Sequence, residues 1–312
     1  MNNIAIYLFC LLIMSSLSYA EYSLSEACSD FRSVIEDSEQ DVRQNHTGHF
    51  KSGLLWKIEN PAGKINYLFG TMHSQDIAIS AIPAQVRKAL LESKLLLMET
   101  IPDQSANQTF LKMMTFKGDQ QLDYLLENAI FNELNIQIQD YGVSQEQVKF
   151  MKPWAVFSLI GRPIPIRAPT LEDNLLQLAL QHQLGVKSLE TMSEILTALD
   201  GLAMDDQLII LKDTVCNHKQ IIRDTQNLMD IYLARDLEGL VAYNNQAHYD
   251  EDVFERFMQR ILYDRNSRML NRIEKEFSGG NVFVAVGASH LTEEKGLLNQ
   301  LQIKGYRLIP VY

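Results

Sequence analysis

The chain has 312 residues, 46% of them hydrophobic, and a formal net charge of −11. That apolar content allows a sizeable core and excludes global disorder. The acidic balance argues against a nucleic-acid backbone as the main partner and against adhesion to an anionic membrane through a basic patch.

Residues 1–20 stand apart. Ile4 to Leu17 is almost continuously apolar, and Ser18-Tyr19-Ala20 offers small residues at a cleavage site, so that Glu21 begins the mature chain. The pattern predicts a signal peptide and hence export, to the periplasm or out of the cell. The n-region lacks Lys and Arg, which leaves an uncleaved membrane anchor as the competing reading. The run is short for a stable span and no second one follows, so no membrane span is expected after cleavage. Cleavage leaves two cysteines, Cys28 and Cys216. In an oxidising compartment they are expected to form a disulfide, against the alternative of two separate buried thiols.

Ser25-Glu26-Ala27-Cys28 predicts a short helix with Ser25 as its cap. Leu54 to Ile58 predicts a first strand, Asn60-Pro61-Ala62-Gly63-Lys64 a hairpin turn, and Ile65 to Phe69 its partner strand. That strand runs into Gly70-Thr71-Met72-His73, a glycine at the strand end with a histidine three residues later. Pro83 opens a helix that buries Val86, Leu90 and Leu91, and Lys94 to Met98 is the next strand, ending in Glu99-Thr100. Strand, helix and strand in this order predict a parallel crossover. From about 103 to 184 the pattern is helical, with Phe110, Leu111, Met114, Leu122, Leu125 and Leu126 as a core stripe. Gly185 to Leu189 is a short strand ending in Glu190-Thr191. Helices fill about 192–277. Phe283 to Val286 is a final buried strand leading into Gly287-Ala288-Ser289-His290, and Lys304 to Val311 closes the sheet.

The expected fold class is therefore α/β. Its β-sheet core comes from two pseudo-repeated halves, each with a strand-GxxH motif, under a large helical insertion or cap. Residues 21–312 read as a single domain. Glycine lets the backbone turn sharply or approach a ligand, and α/β sheets bind ligands beyond the carboxyl ends of their strands. If the halves pack about a pseudo-two-fold axis, His73, Glu99, Glu190 and His290 converge. Two imidazoles with carboxylates suit zinc, manganese or cobalt. A glutamate that is not a ligand is then a candidate general base. Arg265 either grips a substrate carboxylate or orients a glutamate, or makes a helix-surface pair with Asp264. His182, His218 and His248 lie in polar helical surroundings and read as surface residues, and His46 and His49 receive no role. A nucleophile elbow, a phosphate loop, H-E-x-x-H and paired C-x-x-C are all lacking.

These residues resemble the TraB/GumN family, which includes the PrgY pheromone-shutdown proteins and is related to the Tiki proteases. The resemblance runs from about Leu54 to Tyr312. It is carried by Gly70-Thr71-Met72-His73, Glu99, Lys152-Pro153-Trp154, Leu189-Glu190-Thr191, Arg265-Asn266 and Gly287-Ala288-Ser289-His290-Leu291. It implies metal-dependent peptide hydrolysis as in the Tiki branch, with His73 and His290 as metal ligands and Glu99 as the acidic residue. Glu190 and Arg265 match family positions. The membrane helices that end the PrgY and Tiki branches are not found here, so the chain looks like the shorter, secreted GumN-like form.

The first expectation is an exported metal-dependent hydrolase acting on a peptide or amide bond, with His73 and His290 on the metal and Glu99, Glu190 and Arg265 as catalytic candidates. The alternative is a non-catalytic protein that sequesters a peptide or small ligand. A third reading leaves the histidines a purely structural role.

Overall fold

In the computed structural model, which describes residues 23–31, 50–101, 104–245 and 249–312, the chain begins with α1 (Leu24–Ala27). The predicted signal peptide and His46, His49 and His248 lie outside the described residues. The cap of α1 is Ser23, not Ser25. Its side chain accepts from the N–H of Glu26 while the Glu26 carboxylate accepts from the N–H of Ser23, so the two residues close a capping box.

The sheet opens with the hairpin of β1 (Leu55–Glu59) and β2 (Ile65–Thr71). Asn60 sets its turn: Oδ1 accepts from the N–H groups of Ala62 and Lys64 at 3.0 and 2.8 Å. Next come α2 (Ile77–Ser80), α3 (Ala84–Leu91) and β3 (Leu95–Met98). Pro83 is the cap residue of α3 rather than part of its first turn. Val86, Ala89 and Leu90 face the core, but Leu91 is 38% exposed, so the buried face is one residue narrower than the spacing suggests.

Helices α4 (Gln104–Met113), α5 (Asn128–Gln137), α6 (Gln145–Val148), α7 (Pro153–Ile160) and α8 (Leu171–Gln181) precede β4 (Gly185–Ser188). Then come α9 (Met192–Asp200), α10 (Met204–Leu233), α11 (Leu237–Asn244), α12 (Glu251–Met258) and α13 (Asp264–Phe277), with a π turn at Gln259–Tyr263 just before α13. β5 (Val282–Gly287), α14 (Leu297–Ile303) and β6 (Arg307–Pro310) complete the described chain.

The strand order is β4-β3-β5-β2-β1-β6. β4, β3, β5, β2 and β6 run in one direction, and β1, paired antiparallel with β2 and β6, runs against them. The crossover from β2 to β3 is parallel as expected, yet the two strands do not touch, because β5 lies between them. The two strands ending in GxxH are therefore neighbours, as are the two ending in Glu-Thr. Like strands are related by a shift of one position in the sheet, which replaces the pseudo-two-fold arrangement. β5 is buried from Val282 to Val286, as a strand covered on both faces must be.

The helices carry a second core of their own, centred on Trp154, Val156, Ile160, Leu211 and Val215. Lys152-Pro153-Trp154 explains one anchor. Pro153 takes the first helical position, Trp154 is fully buried, and Lys152 Nζ and Trp154 Nε1 both donate to Asp200 Oδ1, at 2.7 and 2.8 Å. The expected stripe on α4 is only partly interior: Phe110 stacks edge-on against Trp154 at 6.2 Å yet is 38% exposed, and Leu111 is 62% exposed.

Cys28 and Cys216 are bridged, with Cα atoms 5.5 Å apart. Beside the bridge, Asn217 Nδ2 donates to Phe31 O at 3.1 Å and to Asp213 Oδ1 at 2.7 Å. Burial pushes the Asp213 carboxyl up to about 6, against the lowering effect of Asn217. A carboxyl whose folded pKa is raised costs stability as pH climbs from its ordinary value near 3.9 through that raised value. Asp213→Asn is thus expected to stabilise the fold by on the order of 1–3 kcal/mol at about pH 7 and by nothing below about pH 4. Urea unfolding at the two pH values measures the difference, and equal gains at both would contradict the assignment.

Candidate active site

Four parallel strands end along one edge of the sheet, which brings Glu190, Glu99, the second GxxH and the first GxxH into line in that order. The ladder continues past β3 and β4: the N–H groups of Leu189 and Glu190 donate to Met98 O and Glu99 O at 2.7 and 2.8 Å.

The glycines have separate reasons. At Gly70 a Cβ would lie 2.7 Å from Leu291 Cδ1 and 3.1 Å from Ala288 Cα, so the first motif leaves room for the turn of the second. Gly70→Ala is expected to cost about 1–3 kcal/mol by overpacking, measured by urea unfolding, and a neutral result would mean Leu291 moves freely. At Gly287 a Cβ would stand 3.3 Å from Glu99 Oε1. Its absence lets the Gly287 N–H donate to that oxygen at 2.6 Å.

A 3-10 turn at Ala288–His290 folds His290 inward until it is 4% exposed. His290 Nδ1 is 2.6 Å from Asn266 Oδ1, and Asn266 Nδ2 donates to Lys295 O at 3.0 Å. The amide is thereby oriented with its oxygen toward the ring. An amide oxygen only accepts, so Nδ1 carries a proton, and Nε2 offers a lone pair when the ring is neutral. Nε2 lies 3.7 Å from Glu99 Oε2.

Arg265 sits just after the π turn, the kind of irregularity that re-aims side chains at functional sites. Its Nη2 donates to Glu99 Oε2 and its Nε to Glu190 Oε2 at 2.8 Å. Glu190 is fully buried and also accepts from Arg268 Nη2 at 2.9 Å. Burial works to raise the Glu99 pKa. The positive charge and hydrogen bond of His290, the charge of Arg265 and the Gly287 N–H together outweigh it and hold the carboxyl well below the usual range.

His73 behaves differently. Its side chain is 69% exposed and its Nδ1 lies 3.5 Å from Glu172 Oε2, at the start of α8. That oxygen is buried and has no hydrogen-bond partner of normal geometry. The Glu172 carboxylate raises the His73 pKa, with partial burial opposing it. Glu99, Glu190, Arg265 and His290 thus form one connected cluster. His73 pairs with Glu172 at the end of the adjacent strand.

The model of the TraB/PrgY/gumN family matches residues 54–310. The chain belongs to that family. No curated protein and no solved structure matches it significantly. The TraB/PrgY/gumN match begins one residue before β1 and ends with β6, so it covers the whole sheet and every residue of the cluster and leaves α1 and Cys28 outside.

Do these side chains suit a divalent cation? Among the described residues no three of His, Cys, Asp and Glu are gathered as a ligand group. The groups that back the two imidazoles do suit one. Each imidazole has Nδ1 facing an oxygen acceptor, Asn266 for His290 and Glu172 for His73, so that in the neutral ring Nε2 is the nitrogen with a lone pair to give a metal. Glu99 supplies an ionised carboxylate beside His290, and the donor types match zinc, manganese or cobalt.

Glu172 and Arg268 escape a reading by strand ends because both lie on helices. Arg268 had a signal: Arg265, Arg268 and Arg272 recur at helical spacing on one face. Glu172 had none beyond a place in a helix's first turn, where an acidic residue is ordinary. His218 is half-buried rather than on the surface, 3.3 Å from Tyr141 Oη. His182 is exposed as expected.

Proposed function

We propose that this TraB/PrgY/gumN protein is an exported, metal-dependent hydrolase that cleaves a peptide or amide bond. The observation that carries the reading is that Nδ1 of each motif histidine faces an oxygen, Asn266 Oδ1 at 2.6 Å and Glu172 Oε2 at 3.5 Å, so that each Nε2 is turned away from that oxygen at one sheet edge. His73 and His290 would hold the cation, with Glu99 beside His290. A bound divalent cation supplies a water with pKa near 7 and polarises a carbonyl.

The chain's own residues divide the remaining work. Arg265 and the Gly287 N–H keep Glu99 ionised and fixed. Glu190, shut from solvent between Arg265 and Arg268, is a positioning residue for Arg265. Asn266 holds the His290 tautomer. Exposed His73 and its partner Glu172 form the side of the site open to substrate. The Cys28–Cys216 bridge supports passage through an oxidising compartment.

Elemental mass spectrometry tests the reading. The chain from Glu21 is compared with His73→Ala and His290→Ala, all folded by circular dichroism and each reloaded separately with zinc, manganese and cobalt. Near-stoichiometric metal that both substitutions remove is expected, followed by cleavage within a peptide library. A folded wild type that takes up none of the three metals would sink the mechanism and leave ligand sequestration as the function.

A further inference from the structure

Next to His73 the chain forms a cavity of about 600 Å³, within the range of about 300–1,000 Å³ usual for ligand clefts. One wall runs from Met72 to Asp76. A second wall is the irregular segment from Arg162 to Ile166, and α10 contributes Ile222 and Met229.

The irregular wall is pinned. Gln75 Oε1 accepts from the Ile166 N–H at 2.7 Å and Gln75 Nε2 donates to Ala168 O at 2.9 Å. The Tyr141 hydroxyl donates to Arg162 O at 2.5 Å. Despite this, Ile164 and Ile166 are 51% and 59% exposed, and Ile77, next to the wall residue Asp76, is 85% exposed. Apolar side chains held in the open around a cleft mark a binding surface.

The charge is equally specific. Arg162 is exposed on the wall and forms no ion pair among the described residues. Among the described residues the one carboxylate lining the cavity, Asp76, already accepts from the Ala78 N–H at 2.8 Å as the cap of α2. In a chain of net charge −11, an arginine left uncommitted at a cleft is a local attractor for a carboxylate.

We propose that this cavity takes an extended peptide segment in which an apolar side chain lies next to a carboxylate, the apolar chain packing on Ile164, Ile166 and Met229 and the carboxylate pairing with Arg162. The inference rests on the hydrolase reading and deepens it, by naming the residues that lie beside the bond presented to His73.

The test uses metal-free chain from Glu21, so that binding is read without turnover. The probe is an acetylated hexapeptide, Gly-Ser-Leu-Glu-Ser-Gly, carrying a neutral dye and followed by fluorescence anisotropy. Three variants replace its Glu by Gln, its Glu by Lys, or its Leu by Ser. Each replacement is expected to weaken binding about tenfold or more, the size of a charge-assisted pair or a buried leucine. Arg162→Gln should abolish the preference for Glu over Gln and keep that for Leu over Ser. The double change Ile164→Ser with Ile166→Ser should do the reverse. No saturable binding of the Leu-Glu peptide, or an Arg162→Gln chain that still prefers Glu, overturns the inference. Metal uptake is read separately: uptake without peptide discrimination defeats this inference alone, and discrimination without uptake defeats the hydrolase reading alone.

Discussion

Arg265→Met is expected to destabilise the protein by about 3–5 kcal/mol at neutral pH, the cost of removing one partner from a buried ion pair. Arg265 is 12% exposed and Glu190 not at all, so water cannot replace the guanidinium at Glu190. Arg268 would still reach Glu190 Oε1, which keeps the loss below that of a wholly unpaired carboxylate. Glu99 loses one of the charges that hold its pKa down. A carboxylate with a lowered folded pKa contributes stability above its unfolded pKa, about 4.3, and that contribution is lost as pH falls through the folded value. The gap between variant and wild type should therefore be widest at about pH 7 and narrow as the pH drops below about 4. Urea unfolding across that range measures it. Arg265→Lys should restore only part of the loss, because an ammonium does not span two carboxylates as a planar guanidinium does. A loss below about 1 kcal/mol at neutral pH would place the network in the solvent-screened class.

The second large effect concerns the bridge that ties α1 to the helical core. Replacing Cys28 and Cys216 together by Ala is expected to cost about 2–5 kcal/mol. The bridge joins residues 188 apart, and chain entropy alone assigns such a loop roughly 5 kcal/mol. Leu24 and Ala27 also pack on the helical core, and the Phe31 ring lies 4.1 Å from that of Tyr249. Cys28 is fully buried and Phe31 nearly so, and Asn217 donates to Phe31 O. The melting temperature should fall by roughly 3–8 °C in a chain of this length. Reductant should lower the wild type to the same point and leave the variant unchanged. The unfolded, unreduced chain from Glu21 should titrate no free thiol, and two free thiols would refute the pairing.

Much of the site was legible because its signals are local. Apolar runs with a glycine at the end identify β2 and β5, and the Glu-Thr ends identify β3 and β4, wherever those strands sit in the sheet. His73, Glu99, Glu190 and His290 could be named on that basis, and Arg265, on a helix, only as a candidate partner for a glutamate or a substrate carboxylate. Their pairing could not. Nothing in the sequence says that β5 enters between β2 and β3, because neighbour choice among parallel strands is settled by how the crossover helices pack. Asn266 and Glu172, the residues that back the two histidines, stand on helices far from those histidines in sequence, where an Asn or a Glu is unremarkable by itself. By itself, then, the sequence determined which strands end in chemistry and which two cysteines could meet. Only the tertiary structure decided that Arg265 would clasp two carboxylates, that His290 would be buried and His73 left open beside a cleft. Those outcomes depend on distances between segments, which side-chain periodicity does not encode.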